Sequence, residues 1–218
     1  DAVPSPVQHF WSLAVEEQYY IVWPVLLVIA LFLFRRWFAR RPVLWATLVA
    51  VAIPSLCYSI YLTRVASGPA YFITPTRMWE LAIGGAVALA ANPCRHIPPT
   101  MAKITGWLGL AAIAATTVLV TPKTPWPGYA AALPTLGAAA VIVGGYSAGR
   151  AGPVAILGTR AFCWIGAISY SLYLWHWPLI EVAKAGFSQP SLTPWLAVAV
   201  VAVSVLLADD DVRDERPT

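Results

Sequence analysis

Three short stretches hold most of the side chains in this sequence that could move a proton or hold an anion. Glu16 and Glu17 lie in the run His9-Phe10-Trp11-Ser12-Leu13-Ala14-Val15-Glu16-Glu17-Gln18-Tyr19-Tyr20. Arg77 and Glu80 lie in Thr74-Pro75-Thr76-Arg77-Met78-Trp79-Glu80-Leu81, and His176 lies in Ser169-Tyr170-Ser171-Leu172-Tyr173-Leu174-Trp175-His176-Trp177-Pro178. Carboxylates and an imidazole serve as general acids or bases, and a guanidinium can hold an anion or a developing oxyanion.

Each stretch also has a purely structural reading. Ser12 can cap a helix whose positive end favours Glu16 and Glu17. Successive helical residues point about 100° apart, so one of the two glutamates is expected to be buried and paired. Arg77, Glu80 and Gly84 share one face at i, i+3 and i+7, which predicts an ion pair beside a surface that admits another backbone. That pair either neutralises two costly charges or uses Arg77 to hold an anionic or carbonyl group that Glu80 orients. Ser169, Tyr173 and His176 share another face, flanked by Trp175 and Trp177 as interfacial anchors. His176 is then either a packed, hydrogen-bonded residue or a catalyst.

The elements that must position these groups are membrane helices. The chain of 218 residues is 59% hydrophobic and 11% charged, and its mean hydropathy is +0.69. That is too apolar for a water-facing surface. The net charge of +4 is scattered between apolar runs, which argues against nucleic acid as a partner. Cys57, Cys94 and Cys163 show neither metal-ligand nor redox-motif spacing, so no metal site and no disulfide framework is expected. Seven apolar stretches of spanning length fall at 19–34, 43–62, 71–91, 104–121, 129–147, 161–181 and 194–208. Pro24, Pro54, Pro75, Pro134 and Pro178 fall inside them and predict kinks rather than breaks.

Basic residues divide unevenly between alternate loops. Arg35, Arg36, Arg40, Arg41, Arg95, Lys103, Arg150, Arg160, Arg213 and Arg216 lie on one side, against Arg64, Lys123 and Lys184 on the other. The excess predicts which side is cytoplasmic, with residues 1–18 outside and the C-terminal tail inside. Arg77 is then placed roughly 9 Å and Glu80 roughly 14 Å into the third span. The reactive side chains are therefore expected in the outer half. Residues 1–208 read as one membrane domain and 209–218, rich in aspartate, as a polar disordered tail that leaves the bilayer. The opening Asp1-Ala2-Val3-Pro4-Ser5-Pro6 lacks the features of a signal peptide, and the chain reads as part of a longer protein.

His-Phe-Trp-Ser-Leu-Ala-Val-Glu-Glu-Gln-Tyr-Tyr at 9–20, Thr-Arg-Met-Trp-Glu-Leu-Ala-Ile-Gly-Gly at 76–85 and Ile-Ser-Tyr-Ser-Leu-Tyr-Leu-Trp-His-Trp-Pro-Leu at 168–179 together resemble three signatures of the bacterial acyltransferase 3 family, in this order. The resemblance covers essentially the whole chain. It implies an all-α, polytopic bundle with about seven of the family's about ten spans, in the bacterial cell membrane. It also implies an enzyme that moves an acyl group, usually acetyl, from acyl-CoA to hydroxyls of an extracytoplasmic glycan such as lipopolysaccharide or peptidoglycan. Acyl-CoA enters as donor substrate and no cofactor is implied, so the partners are the bilayer, acyl-CoA and the glycan acceptor.

For that reaction Glu16, Glu17 and His176 can supply acid or base groups and Arg77, with Glu80, a cation, which makes them the catalytic candidates. With the family's histidine absent they are expected rather to line and support the acceptor or acyl route. His9, Trp11, Ser12 and Tyr20 in the first motif, Trp79 in the second, and Ser169, Tyr173 and Trp177 in the third are candidates to line the substrate route. The family's own catalytic histidine and arginine belong to a span that would precede Asp1, so this chain alone is expected to be inactive. The family's last span runs apolar into a Val-Glu-x-Pro-like end. Here Asp209, Asp210, Asp211 and Asp214 interrupt the approach to Glu215-Arg216-Pro217. Two other classes suit the same residues. A transporter would use intramembrane charges and proline-interrupted spans as a substrate pathway, and a degenerate fragment would use them for nothing.

Overall fold

The computed structural model describes residues 10–34, 36, 38–121, 123–186 and 193–214, leaving aside the side chains of Trp11, Ser12 and Asp214. Among the described residues the regular structure is helical throughout: α1 (Trp11–Phe34), α2 (Arg40–Val65), α3 (Ser67–Phe72), α4 (Met78–Leu89), α5 (Ala91–Cys94), α6 (Pro99–Leu119), α7 (Ala132–Gly145), α8 (Val154–Leu157), α9 (Arg160–Gly186) and α10 (Pro194–Asp214). The chain divides into two compact units, Leu13–Ala155 and Asp1–Ser12 with Ile156–Thr218.

The predicted spans all fall on helices, with unequal lengths. Leu13–Phe34, α2 and α6 are long and apolar enough to cross a bilayer, whereas α4 and α7 are shorter apolar helices of 12 and 14 residues. Pro24, Pro54 and Pro178 sit inside continuous helices, and Pro134 lies in the first turn of α7.

Pro75 breaks its span instead of kinking it, so the expected helix 71–91 is corrected to three pieces. Proline has no N–H, and its ring clashes with the carbonyl four residues back, so α3 ends at Phe72. Ile73 is extended, Thr74–Thr76 form one 3-10 turn, and α4 begins at Met78. Side chains satisfy the carbonyls this frees. Thr76 Oγ1, buried, lies 2.7 Å from Ala70 O and 2.5 Å from Ile73 O, and Ser55 of α2 donates to Pro75 O at 2.5 Å.

In the first unit α6 and α7 approach closely because both carry glycine at the contact. A Cβ added to Gly109 would stand 2.5 Å from Gly137 O, and one on Gly144 would stand 2.6 Å from Ala102 O. Small residues let the two backbones meet, which in lipid replaces the hydrophobic drive as the source of packing energy. Trp107 Nε1 ties α6 onward by donating to Ala151 O at 3.0 Å.

In the second unit α9 packs on α10. Helix α10 continues through Asp209, Asp210 and Asp211 as far as Asp214, so the boundary expected at 208 falls inside one helix. Two of these carboxylates, Asp209 and Asp211, have partners. Trp164 Nε1 donates to Asp209 at 2.8 Å, Trp175 Nε1 donates to Asp211 at 2.9 Å, and Arg213 pairs with Asp209 at 2.7 Å.

Candidate active site

The break at Pro75 sets the geometry of the first polar cluster. It moves Arg77 from a turn and a half inside a span to the N-cap of α4, with Glu80 in the first turn. A guanidinium at the positive end of a helix is unfavourable, and a carboxylate in the first turn is favourable. The two meet as a pair, Arg77 Nη2 to Glu80 Oε2 at 3.3 Å, with side chains 23% and 17% exposed. Arg77 also lies over the Tyr71 ring, 5.8 Å from its centroid. Glu80 Oε1 is buried with no hydrogen-bond partner among the described residues, so the carboxylate has an acceptor to spare.

Two further contacts hold this cluster. Trp79 N–H donates to Ser55 Oγ at 3.0 Å, joining α2 to the start of α4. Thr74 Oγ1 donates to Gln18 Oε1 at 2.7 Å, joining the first motif to the second. Along α2, Ser55, Ser59 and Thr63 form a buried polar stripe at i, i+4 and i+8, and among the described residues the hydroxyls of Ser59 and Thr63 have no hydrogen-bond partner. Tyr19 stacks on Trp23 with centroids 5.4 Å apart, and its buried hydroxyl likewise has no hydrogen-bond partner among the described residues.

The second cluster belongs to α9 and α10. A cavity of about 410 Å³ opens between them, lined by Ser169, Tyr173, His176, Ile180, Val200 and Ser204, with others. His176 Nδ1 lies 3.1 Å from Leu172 O. A carbonyl only accepts, so Nδ1 is the donor in this contact. Tyr173 packs beside that ring at 5.6 Å between centroids. Ser169 Oγ donates to Gly166 O at 2.8 Å. Trp177 carries Lys184 over its ring at 5.7 Å, and Lys184 pairs with Glu181 at 2.9 Å.

The other candidates are placed as follows. Glu16 and Glu17 are both exposed, which corrects the expectation that one would be buried and paired. The buried positions of that turn are Val15 and Tyr19, four residues apart, so the helix turns both carboxylates outward. Tyr20 is 60% exposed, whereas Trp79 is a core residue at 3%. His9 and the side chains of Trp11 and Ser12 lie outside the described residues. Gln18, Ser55, Ser59 and Thr63 went unread as site residues. The stripe on α2 had a legible signal, three hydroxyls at helical spacing in an apolar span.

Fold and clusters define an all-α membrane protein with polar side chains held inside its helix packing. Residues 2–209 match the acyltransferase domain model Acyl_transf_3, and the chain belongs to that acyltransferase 3 family. It is similar to the peptidoglycan O-acetyltransferase OatA of Listeria monocytogenes, 26% identical over 95% of this chain and 34% of the relative. It is also similar to the putative peptidoglycan O-acetyltransferase YrhL of Bacillus subtilis, 29% identical over 94% of this chain and 33% of the relative. The O-acetyltransferase OatA of Staphylococcus aureus is 27% identical over 96% of this chain and 35% of its own length. The chain thus spans about a third of the length of these relatives. No solved structure matches it.

Proposed function

We propose that this chain contributes to a membrane O-acyltransferase that moves an acetyl group from acetyl-CoA to a hydroxyl of an extracytoplasmic cell-envelope glycan, with peptidoglycan as the favoured acceptor. The observation that carries this reading is the family match across residues 2–209, joined to relatives named O-acetyltransferases that align with nearly the whole chain. The uneven division of Lys and Arg supports a bacterial cytoplasmic membrane location with residues 1–18 outside.

The chemistry needs few groups. As the sugar oxygen bonds to the acyl carbon its proton must leave, negative charge builds on the acyl oxygen, and the thiolate departs from that carbon and takes up a proton. His176, its Nδ1 3.1 Å from Leu172 O, lines and supports the substrate route within the α9–α10 unit. Within the Leu13–Ala155 unit Arg77, its guanidinium steadied by Glu80, supplies a cation that supports the acceptor or acyl route. Glu16 and Glu17, exposed on α1, are acid or base groups for the acceptor side.

The test is mass spectrometry of peptidoglycan fragments from a host lacking its own O-acetyltransferase, with and without the full-length protein. The expected result is one acetyl mass per modified sugar, removed by mild alkali as an ester must be. Membrane-inserted protein with unmodified peptidoglycan overturns the acceptor, and the absence of acetyl ester from every surface glycan overturns the activity.

A further inference from the structure

Away from both clusters, α1 and α2 diverge and leave a groove of about 640 Å³. Leu26, Ile29, Leu33, Phe34, Val43 and Ala46 are among the side chains lining it, and among the described residues its one polar side chain is Thr47. That hydroxyl is already committed, donating to Val43 O at 2.9 Å. The groove runs along α1 from Leu26 to Phe34, which at 1.5 Å per residue is roughly 12 Å. One leaflet of hydrocarbon is about 15 Å deep. The groove therefore has the length of one leaflet and walls with no hydrogen bond to offer.

Its mouth is different. A second cavity of about 600 Å³ shares Phe38 and Val43 with the groove and is lined by Arg36 and Arg40. Both arginines are exposed at the helix ends, and Arg41 follows directly. An apolar slot that opens on paired guanidiniums fits an amphiphile with an alkyl chain and a phosphate. A pantetheine arm fits it poorly, because its amides would be buried in the slot without partners.

We propose that the α1–α2 groove is a binding site for an anionic phospholipid, with one acyl chain between the helices and the phosphate on Arg36 and Arg40. Basic pockets between spans recognise acidic lipid headgroups in this way, with affinity changing about five-fold for each arginine near the surface. The assignment stands on membrane insertion and is independent of the reaction the protein catalyses.

Native mass spectrometry of the full-length protein, loaded from vesicles of phosphatidylglycerol mixed with phosphatidylcholine, tests it. Preferential retention of phosphatidylglycerol is expected. Arg36→Gln with Arg40→Gln should lower that preference by an order of magnitude or more, while Ala46→Phe should lower retention of both lipids by filling the slot. If Ala46→Phe fails to elute like the unchanged protein, Ala50→Leu replaces it. Equal retention of the two lipids overturns the proposal, and so does a preference that survives loss of both arginines. Full retention in the filled variant overturns it as well, and a groove covered by another helix would give that result.

Discussion

Ser55 of α2 accepts a hydrogen bond from the Trp79 backbone N–H at 3.0 Å and donates one to Pro75 O at 2.5 Å. One hydroxyl therefore serves both sides of the break that separates α3 from α4, and Arg77 and Glu80 lie directly after it. Ser55→Ala leaves a donor and an acceptor unsatisfied in a buried site. The expected cost is about 1 kcal/mol, the scale of side-chain bonds between membrane helices. Denaturation in mixed detergent reads the stability, and no change would mean that the break is held by Thr76 alone.

The Arg77–Glu80 pair is neither fully buried nor exposed. Removing the guanidinium strands a carboxylate with one oxygen already unpartnered. Arg77→Ala is expected to cost on the order of 1–3 kcal/mol, between the values for surface and buried pairs. Glu80→Gln added to Arg77→Ala should recover part of that stability and none of the acetylation. A double variant as unstable as the single one would show that the pair is not coupled.

Glu16 and Glu17 offer a cleaner reading of chemistry because they are exposed. Glu16→Gln and Glu17→Gln should each change stability by no more than about 0.5 kcal/mol. A fall in glycan acetylation of ten-fold or more in either variant then reports on reaction or acceptor binding. Acetylation unchanged in both removes them from the site.

His176→Ala is expected to lower glycan acetylation in the full-length protein on the order of ten- to a hundred-fold by loosening the substrate route, and His176→Gln to restore packing with part of the activity. Tyr173→Phe, which keeps the ring beside the imidazole, should retain most of the rate if Tyr173 acts by packing. Quantified O-acetyl release separates these outcomes.

The α6–α7 contact predicts a sharp positional contrast between glycines. Gly109→Ala places a methyl 2.5 Å from Gly137 O and should cost about 1–3 kcal/mol by overpacking. Gly84→Ala meets nothing within 4 Å and should leave stability unchanged or slightly raised. Thermal unfolding of the two variants side by side checks the contrast.

The sequence by itself determined the solvent, the helical class and the places where helices run, because long apolar stretches with few charges admit no other membrane-spanning structure than the helix. It also singled out Glu16, Glu17, Arg77, Glu80 and His176 as candidates, since charges cost too much in lipid to occur idly. Pro75 was legible as a perturbation, but whether it kinks or breaks a helix depends on who satisfies the freed carbonyls. Only Ser55, twenty residues away in another helix, and the buried Thr76 settled that. The outward turn of Glu16 and Glu17 was likewise decided by packing, because Val15 and Tyr19 claim the inner face. Asp209 and Asp211 of α10 are placed by the same kind of packing. Indole donors on α9 give them partners, and a hydrogen bond between helices has no signature in the local pattern of either one.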